Sequence, residues 1–282
     1  MRILITGAGG MLGHDVGIAA GRRGHETVAL SRRELDVGDP RAVDAAISEA
    51  APEVVINCAA WTDVDGAEAE YAAALAVNGD GPENVGRAAA TAGAWTIHLS
   101  TDYVFDGRHT EPYLESDETS PMSGYGRSKL AGERALARVA PERHTIVRTS
   151  WLYGLTGASF PKTILRLGRE RESLSVVDDQ VGCPTFTGHL AAALVSLAED
   201  APPLGVLHLA ASGQCSWFEF AREIVAGAGL VCEVSPCTTA EFPRPAPRPA
   251  YSVLRSRRAG APVLPHWREG LSEFLAGIEV PA

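Results

Sequence analysis

The sequence predicts an α/β protein built on a doubly wound parallel sheet, followed by a smaller C-terminal domain. Three features lead there. Short β-branched runs alternate with helical stretches, a glycine-rich turn follows the first run directly, and the alternation loosens after about residue 150. With 282 residues and 45% hydrophobic content, the chain can fill a sizeable core.

Strand-like runs fall at residues 2–6, 27–30, 53–58, 96–100 and 145–149, spaced widely enough for a crossover helix between each pair. Val54-Val55-Ile56 puts apolar side chains on both faces, which suits a strand covered by helices above and below. Right-handed crossovers between such strands give the doubly wound arrangement. Helices are expected over 12–22, 41–51, 71–92 and 125–139, and Asp39 followed by Pro40 reads as an N-cap with proline at the first helical position. Beyond residue 150 the pattern predicts helices near 160–171, 190–197 and 217–226 and a strand near 206–209. The X-Pro steps of 242–249 mark a loop, because proline denies a ladder its donors. The expected division is a dinucleotide-binding part over 1–150, rejoined by about 187–211, and a mainly substrate-binding part over 151–282.

Asp and Glu outnumber Lys and Arg 35 to 25, for a formal charge of −10. That balance opposes broad electrostatic binding to nucleic acid or to an anionic membrane, while a few local cations still suffice for an anionic small molecule. No uncharged apolar stretch of about 18 residues is present, and the first residues lack a signal-peptide pattern, so a soluble cytoplasmic protein is expected. Cys58, Cys183, Cys215, Cys232 and Cys237 form neither a CxxC pair nor a zinc spacing and read as small buried hydrophobes.

The first strand runs into Thr6-Gly7-Ala8-Gly9-Gly10-Met11-Leu12-Gly13. Gly7, Gly10 and Gly13 allow a tight turn, close backbone approach to phosphate, and close packing of the helix that begins there. This is a Rossmann-like site for a dinucleotide diphosphate. After the second strand stands Ser31-Arg32-Arg33 rather than an acid, and positive charge there favours a ribose 2′-phosphate. NADPH is therefore the expected cofactor, with NADH left open.

Tyr125 and Lys129 are four residues apart on one face of a helix. An ammonium near the phenol stabilises phenolate, so such a tyrosine can exchange a proton with an alkoxide. The chain has only two lysines, Lys129 and Lys162, and its six tyrosines would meet one at this spacing about 0.04 times by chance. Ser100-Thr101 closes the fourth strand at the carboxyl edge, where open α/β sheets bind ligands. Thr101 is the expected hydroxyl to hold a substrate carbonyl, with Ser100 the alternative left open by the pleat.

In this order, the glycine turn, hydroxyl and Tyr-xxx-Lys resemble the extended short-chain dehydrogenase/reductase family. The segments Ser100-Thr101-Asp102-Tyr103-Val104-Phe105-Asp106-Gly107, Tyr125-Gly126-Arg127-Ser128-Lys129 and Arg148-Thr149-Ser150-Trp151-Leu152-Tyr153-Gly154 are similar to its dTDP-4-dehydrorhamnose reductase branch. Asp179-Gln180-Val181-Gly182-Cys183-Pro184-Thr185, Ser216-Trp217-Phe218-Glu219-Phe220-Ala221 and Arg248-Pro249-Ala250-Tyr251 extend the likeness over nearly the whole chain.

The resemblance implies reduction of the C4 ketone of a dTDP-4-keto sugar by NADPH. Tyr125 would supply the proton, Thr101 would hold the carbonyl, and Lys129 would tune Tyr125 and bind the nicotinamide ribose. Asp36 and Val37 would lie near the adenine, with Ala59 and Ala60 along the cofactor. Val64, Asp102, Tyr103 and Trp151 would face the sugar nucleotide, and Arg248 would meet its diphosphate. Trp61 departs from the smaller residue expected there. Some relatives hold magnesium at a dimer contact, but no carboxylate cluster assigns ligands here, and monomer and homodimer both stay open. The alternatives are a reductase of another dTDP-4-keto-deoxysugar and a non-catalytic NADP-binding regulatory subunit, the latter opposed by the intact Tyr125 and Lys129.

Overall fold

The computed structural model describes residues 1–278. Its first half repeats strand, turn and helix: β1 (Arg2–Thr6), α1 (Met11–Arg22), β2 (Glu26–Leu30), α2 (Pro40–Ala50) and β3 (Val54–Asn57). The Asp39 carboxylate accepts from the Arg41 and Ala42 amides at 2.9 and 3.3 Å, so the Asp-Pro pair caps α2 as its chemistry dictates.

The helix expected over 71–92 is broken into pieces. A short α3 (Gly66–Ala69) precedes α4 (Tyr71–Leu75), a π-helical turn over Ala76–Asp80, and α5 (Gly81–Thr91). Pro82 has no amide hydrogen to give the α ladder, and the wide turn lies directly ahead of it. Within that turn the Asn78 side chain donates to the Trp61 carbonyl and to Ser128 Oγ, both at 3.0 Å, and accepts from the Trp61 amide at 2.9 Å. A buried amide thus ties the loop after β3 to Ser128, on the helix over Gly124–Val139.

β4 (Trp95–Thr101), α6 (Gly124–Val139) and β5 (His144–Thr149) complete this half. Thereafter come β6 (Leu152–Tyr153), α7 (Phe160–Glu170), β7 (Ser173–Val177), β8 (Val181–Gly182) and β9 (Thr185–Phe186). They lead to α8 (Thr187–Glu199), β10 (Gly205–His208), β11 (Ala211–Ser212), β12 (Cys215–Ser216), α9 (Trp217–Gly227), β13 (Glu233–Cys237), β14 (Leu264–His266) and α10 (Trp267–Gly277).

Six strands form the main sheet in the order β10-β5-β4-β3-β1-β2, and every neighbouring pair is parallel. Alternation along β1 sends Ile3 and Ile5 into the layer shared with α1 and α8, and Leu4 into the layer with Val43 and Ile47 of α2 and Val85 of α5. Each of these fully buried aliphatic side chains contributes roughly 1.5–3 kcal/mol. The second half carries its own core of Tyr153, Leu165, Phe220, Trp267 and Phe274. There β7 and β13 pair in parallel, two strands the local pattern did not mark. The last four residues of the part expected over 151–282 lie outside the described residues.

Chain order reverses between β1 and β3, and the carboxyl ends of these strands open into a cavity of about 1110 Å³. No described helix is long and apolar enough to cross a membrane. All five cysteines are free; Cys183 and Cys215 are buried, while Cys58, Cys232 and Cys237 are only half-buried, short of the expected burial.

Candidate active site

One end of the cavity is the turn between β1 and α1. Gly7 takes a left-handed backbone (φ 66°), and a Cβ there would lie 2.6 Å from the Ala59 amide nitrogen. The Gly10 amide closes the turn on the Gly7 carbonyl at 2.9 Å. A side chain at Gly13 would collide with that same carbonyl, so glycine is what lets α1 start tight against β1. Amides at the start of α1 then face the cavity, where an anion is favoured.

At the end of β2, Arg32 and Arg33 are exposed on the cavity rim. Neither pairs with a carboxylate among the described residues. Glu34, the nearest acid, is turned back to accept from the Ser31 amide at 2.8 Å. Ser31, Asp36, Val37, Ala59 and Ala60 line the same cavity as Met11 and Leu12.

The central wall comes from β4 and α6. Ser123 caps α6 by accepting from the Gly126 amide at 3.1 Å, which fixes the first turn that carries Tyr125. The Tyr125 ring meets Tyr103 edge-on, with centroids 5.6 Å apart at 77°. Burial pushes the Tyr125 phenol up to about 12, against a lowering by the Thr101 hydroxyl and with a further raise from Asp102. One turn on, Lys129 Nζ donates to the Leu99 carbonyl at 2.6 Å and lies 3.4 Å from His98 Nε2. Burial lowers its ammonium to about 8, opposed by Glu133 and Cys58.

The pleat of β4 separates the two hydroxyls. Ser100 Oγ donates to Glu133 Oε1 at 2.5 Å, between sheet and helix. Thr101 Oγ1 donates to Asp102 Oδ1 at 2.9 Å and accepts from the Tyr103 amide at 3.2 Å. Burial raises the Asp102 carboxyl to about 6, opposed by the nearby Ser252 and Thr101 hydroxyls, and its Oδ2 is buried without a hydrogen-bond partner among the described residues.

The far end is aromatic. Trp151 has a left-handed backbone (φ 47°), a strained state for a bulky residue, and its indole covers Gly182, where a Cβ would collide with it. Trp217 stacks on Trp151 at 3.5 Å and 3°, and Phe160 packs on Trp217 at 4.5 Å.

The sequence pattern described as the RmlD substrate binding domain matches residues 1–280. A dTDP-4-dehydrorhamnose reductase of Mycobacterium tuberculosis is 46% identical, covering 98% of this chain and 92% of that protein. The chain belongs to the dTDP-4-dehydrorhamnose reductase family. Members of this family are oxidoreductases of the extended short-chain dehydrogenase/reductase type, and this chain is one of them. The crystal structure of the Bacillus anthracis dTDP-4-dehydrorhamnose reductase in complex with NADP is similar to it, with a TM-score of 0.95 and 38% identity over 98% of this chain and 99% of that one. A dTDP-4-keto-6-deoxy-D-glucose reductase of Streptomyces niveus is 40% identical and covers 96% of each chain.

In this dTDP-4-dehydrorhamnose reductase family member, the cavity brings together nearly every residue singled out from the sequence. Gly7, Gly10, Met11, Leu12, Gly13, Ser31, Arg32, Asp36, Val37, Ala59 and Ala60 line it, as do Val64, Thr101, Asp102, Tyr103, Tyr125, Lys129 and Trp151. Arg248, expected at the diphosphate, is the exception. It stands outside the lining, its guanidinium held by Asp65 at 2.8 and 3.1 Å, with Arg244 on the same carboxylate at 2.7 Å. Sequence reasoning missed Phe160 and Trp217. The sign of Trp217 was local: Ser216 and Glu219 form a capping box that places Trp217 at the first turn of α9.

Proposed function

We propose that this chain reduces the C4 ketone of dTDP-4-dehydro-L-rhamnose to dTDP-L-rhamnose with NADPH, with Tyr125 as proton donor. The observation that carries the reading is the convergence of Thr101, Tyr125 and Lys129 on one wall of the cavity that also contains the Gly7–Gly13 turn.

The residues present fit the cofactor. The bare Gly7 backbone against Ala59, the α1 amides and the exposed Arg32 make a cradle for a dinucleotide carrying a 2′-phosphate. Asp36 and Val37 would flank its adenine, and Ala59, Ala60 and Lys129 would run along it to the nicotinamide ribose. When bound, the dihydronicotinamide supplies the hydride.

Tyr125, protonated throughout the neutral range, holds the proton at Oη and releases it to the C4 oxygen as that oxygen becomes an alkoxide. Thr101 turns its hydroxyl hydrogen from Asp102 to the carbonyl oxygen and holds that oxygen beside the phenol. The Lys129 ammonium stabilises the phenolate that remains. Val64, Asp102, Tyr103 and Trp151 face the deoxysugar nucleotide, the two aromatic side chains packing on it.

A second reading, reduction of a different dTDP-4-keto-6-deoxysugar, has support from the Streptomyces niveus relative. Loss of NADPH absorbance on adding each 4-keto sugar, with the C4 configuration of the product read by NMR, separates the two. Turnover of dTDP-4-dehydro-L-rhamnose to the rhamno product supports the first reading; preference for another keto sugar overturns it.

A further inference from the structure

A chain of buried side chains crosses the sheet from the glycine turn to Lys129. Thr6 Oγ1 donates to Asn57 Oδ1 at 2.6 Å, and the Ala59 amide donates to the same oxygen at 3.2 Å. Asn57 Nδ2 lies 3.1 Å from His98 Nδ1, and His98 Nε2 lies 3.4 Å from Lys129 Nζ. Thr6, Asn57, His98 and Lys129 are 1%, 0%, 0% and 2% exposed, so their bonds to one another lie out of bulk solvent.

The direction of this chain is decided at Asn57. A backbone amide can only donate, so the atom facing Ala59 is the carbonyl oxygen and the amide nitrogen faces His98. That nitrogen can only donate in turn, which leaves His98 Nδ1 as acceptor. Burial and the neighbouring ammonium hold the ring neutral, so its one hydrogen sits on Nε2 and points at Nζ.

We propose that His98 is a positioning residue, locked by Asn57 as the Nε2–H tautomer so that it meets Lys129 Nζ with a donor and disfavours the ammonium. A cation that needs acceptors on every side finds a donor on this one, whereas a neutral amine accepts it. Burial acts in the same sense as His98. Opposing both are the Leu99 carbonyl, Glu133 on α6 and the Cys58 thiol beyond β3. Tyr125 stands one turn back on α6, and Arg148 of β5 takes up part of the Glu133 charge. The lock is anchored in the turn proposed to receive the cofactor, because Ala59 is also the residue that Gly7 packs against.

The kinetic consequence rests on the proposed reduction, but the tautomer and the lysine titration do not. Only Lys129 and Lys162 are present, and Lys162 is half-buried, donating to the Leu155 and Gly157 carbonyls. The full chain labelled with ¹³C-lysine therefore gives two titrating signals. In His98→Gln, whose side chain can turn a carbonyl oxygen toward Nζ, the Lys129 midpoint rises by about half a pH unit or more, and the alkaline limb of kcat/KM moves with it. His98→Phe, which removes the donor without adding an acceptor, moves it the same way by less. Long-range ¹H–¹⁵N spectra of the unaltered chain show His98 as Nε2–H, a test that needs no variant to fold. An Nδ1–H ring, or a Lys129 midpoint that stays or falls in His98→Gln, overturns the proposal. The expected spectra without turnover of any 4-keto sugar leave it standing and overturn the reaction alone.

Discussion

Glu133 and Arg148 form a two-pronged ion pair behind the active-site wall, Nε to Oε1 at 2.9 Å and Nη2 to Oε2 at 2.7 Å, with side chains 4% and 5% exposed. Ser100 adds a third bond to the same carboxylate. The pair joins α6, which carries Tyr125 and Lys129, to β4 and β5.

Removing one partner of a buried pair leaves the other charge without compensation. Glu133→Ala is therefore expected to lose about 3–5 kcal/mol of stability in urea unfolding. A loss below about 1 kcal/mol would show that the pair does not hold the helix.

Tyr125→Phe keeps the ring and its edge contact with Tyr103 but removes the proton. Its kcat is expected to fall by about 10²–10⁴-fold, with NADPH affinity within roughly twofold of the parent by fluorescence titration. Unreduced turnover would assign the acid to another group.

Arg32→Ala is expected to raise KM for NADPH roughly fivefold or more and to leave KM for NADH nearly unchanged, since one exposed charge-assisted phosphate contact is lost. Steady-state kinetics with both cofactors checks this. Equal changes would mean that Arg32 does not read the 2′-phosphate.

Lys129 makes stability and activity respond to pH in opposite senses. Its folded value of about 8 lies below the ordinary 10.5, so in that window the unfolded chain binds more protons and this group makes stability rise with pH. Activity falls over the same range as the ammonium is lost. Urea midpoints across the window, compared with Lys129→Met, give the stability arm; a Lys129→Met curve as steep as the parent's would assign the slope elsewhere.

What was legible in the sequence was local. The glycine turn, Tyr125 with Lys129, and the Asp39-Pro40 cap are spacings of a few residues, each dictated by one turn of backbone. Alternating β-branched runs gave the parallel sheet because strands buried on both faces leave that mark. Pairings between distant segments left none: Asp65 claims Arg248 from far along the chain, β7 finds β13, and Trp217 of α9 stacks on Trp151. Pro82 was visible, but the wide turn ahead of it was not, since a π turn has no periodic pattern of its own. The neutral tautomer of His98 depends on three segments meeting in the sheet.

The most direct measurement follows deuterium from the cofactor. With [4-²H]NADPH carrying the label at the transferred position and dTDP-4-dehydro-L-rhamnose, NMR is expected to show deuterium at C4 of dTDP-L-rhamnose. A C4 epimer, label elsewhere on the sugar, or no transfer with cofactor bound would contradict the proposed reduction.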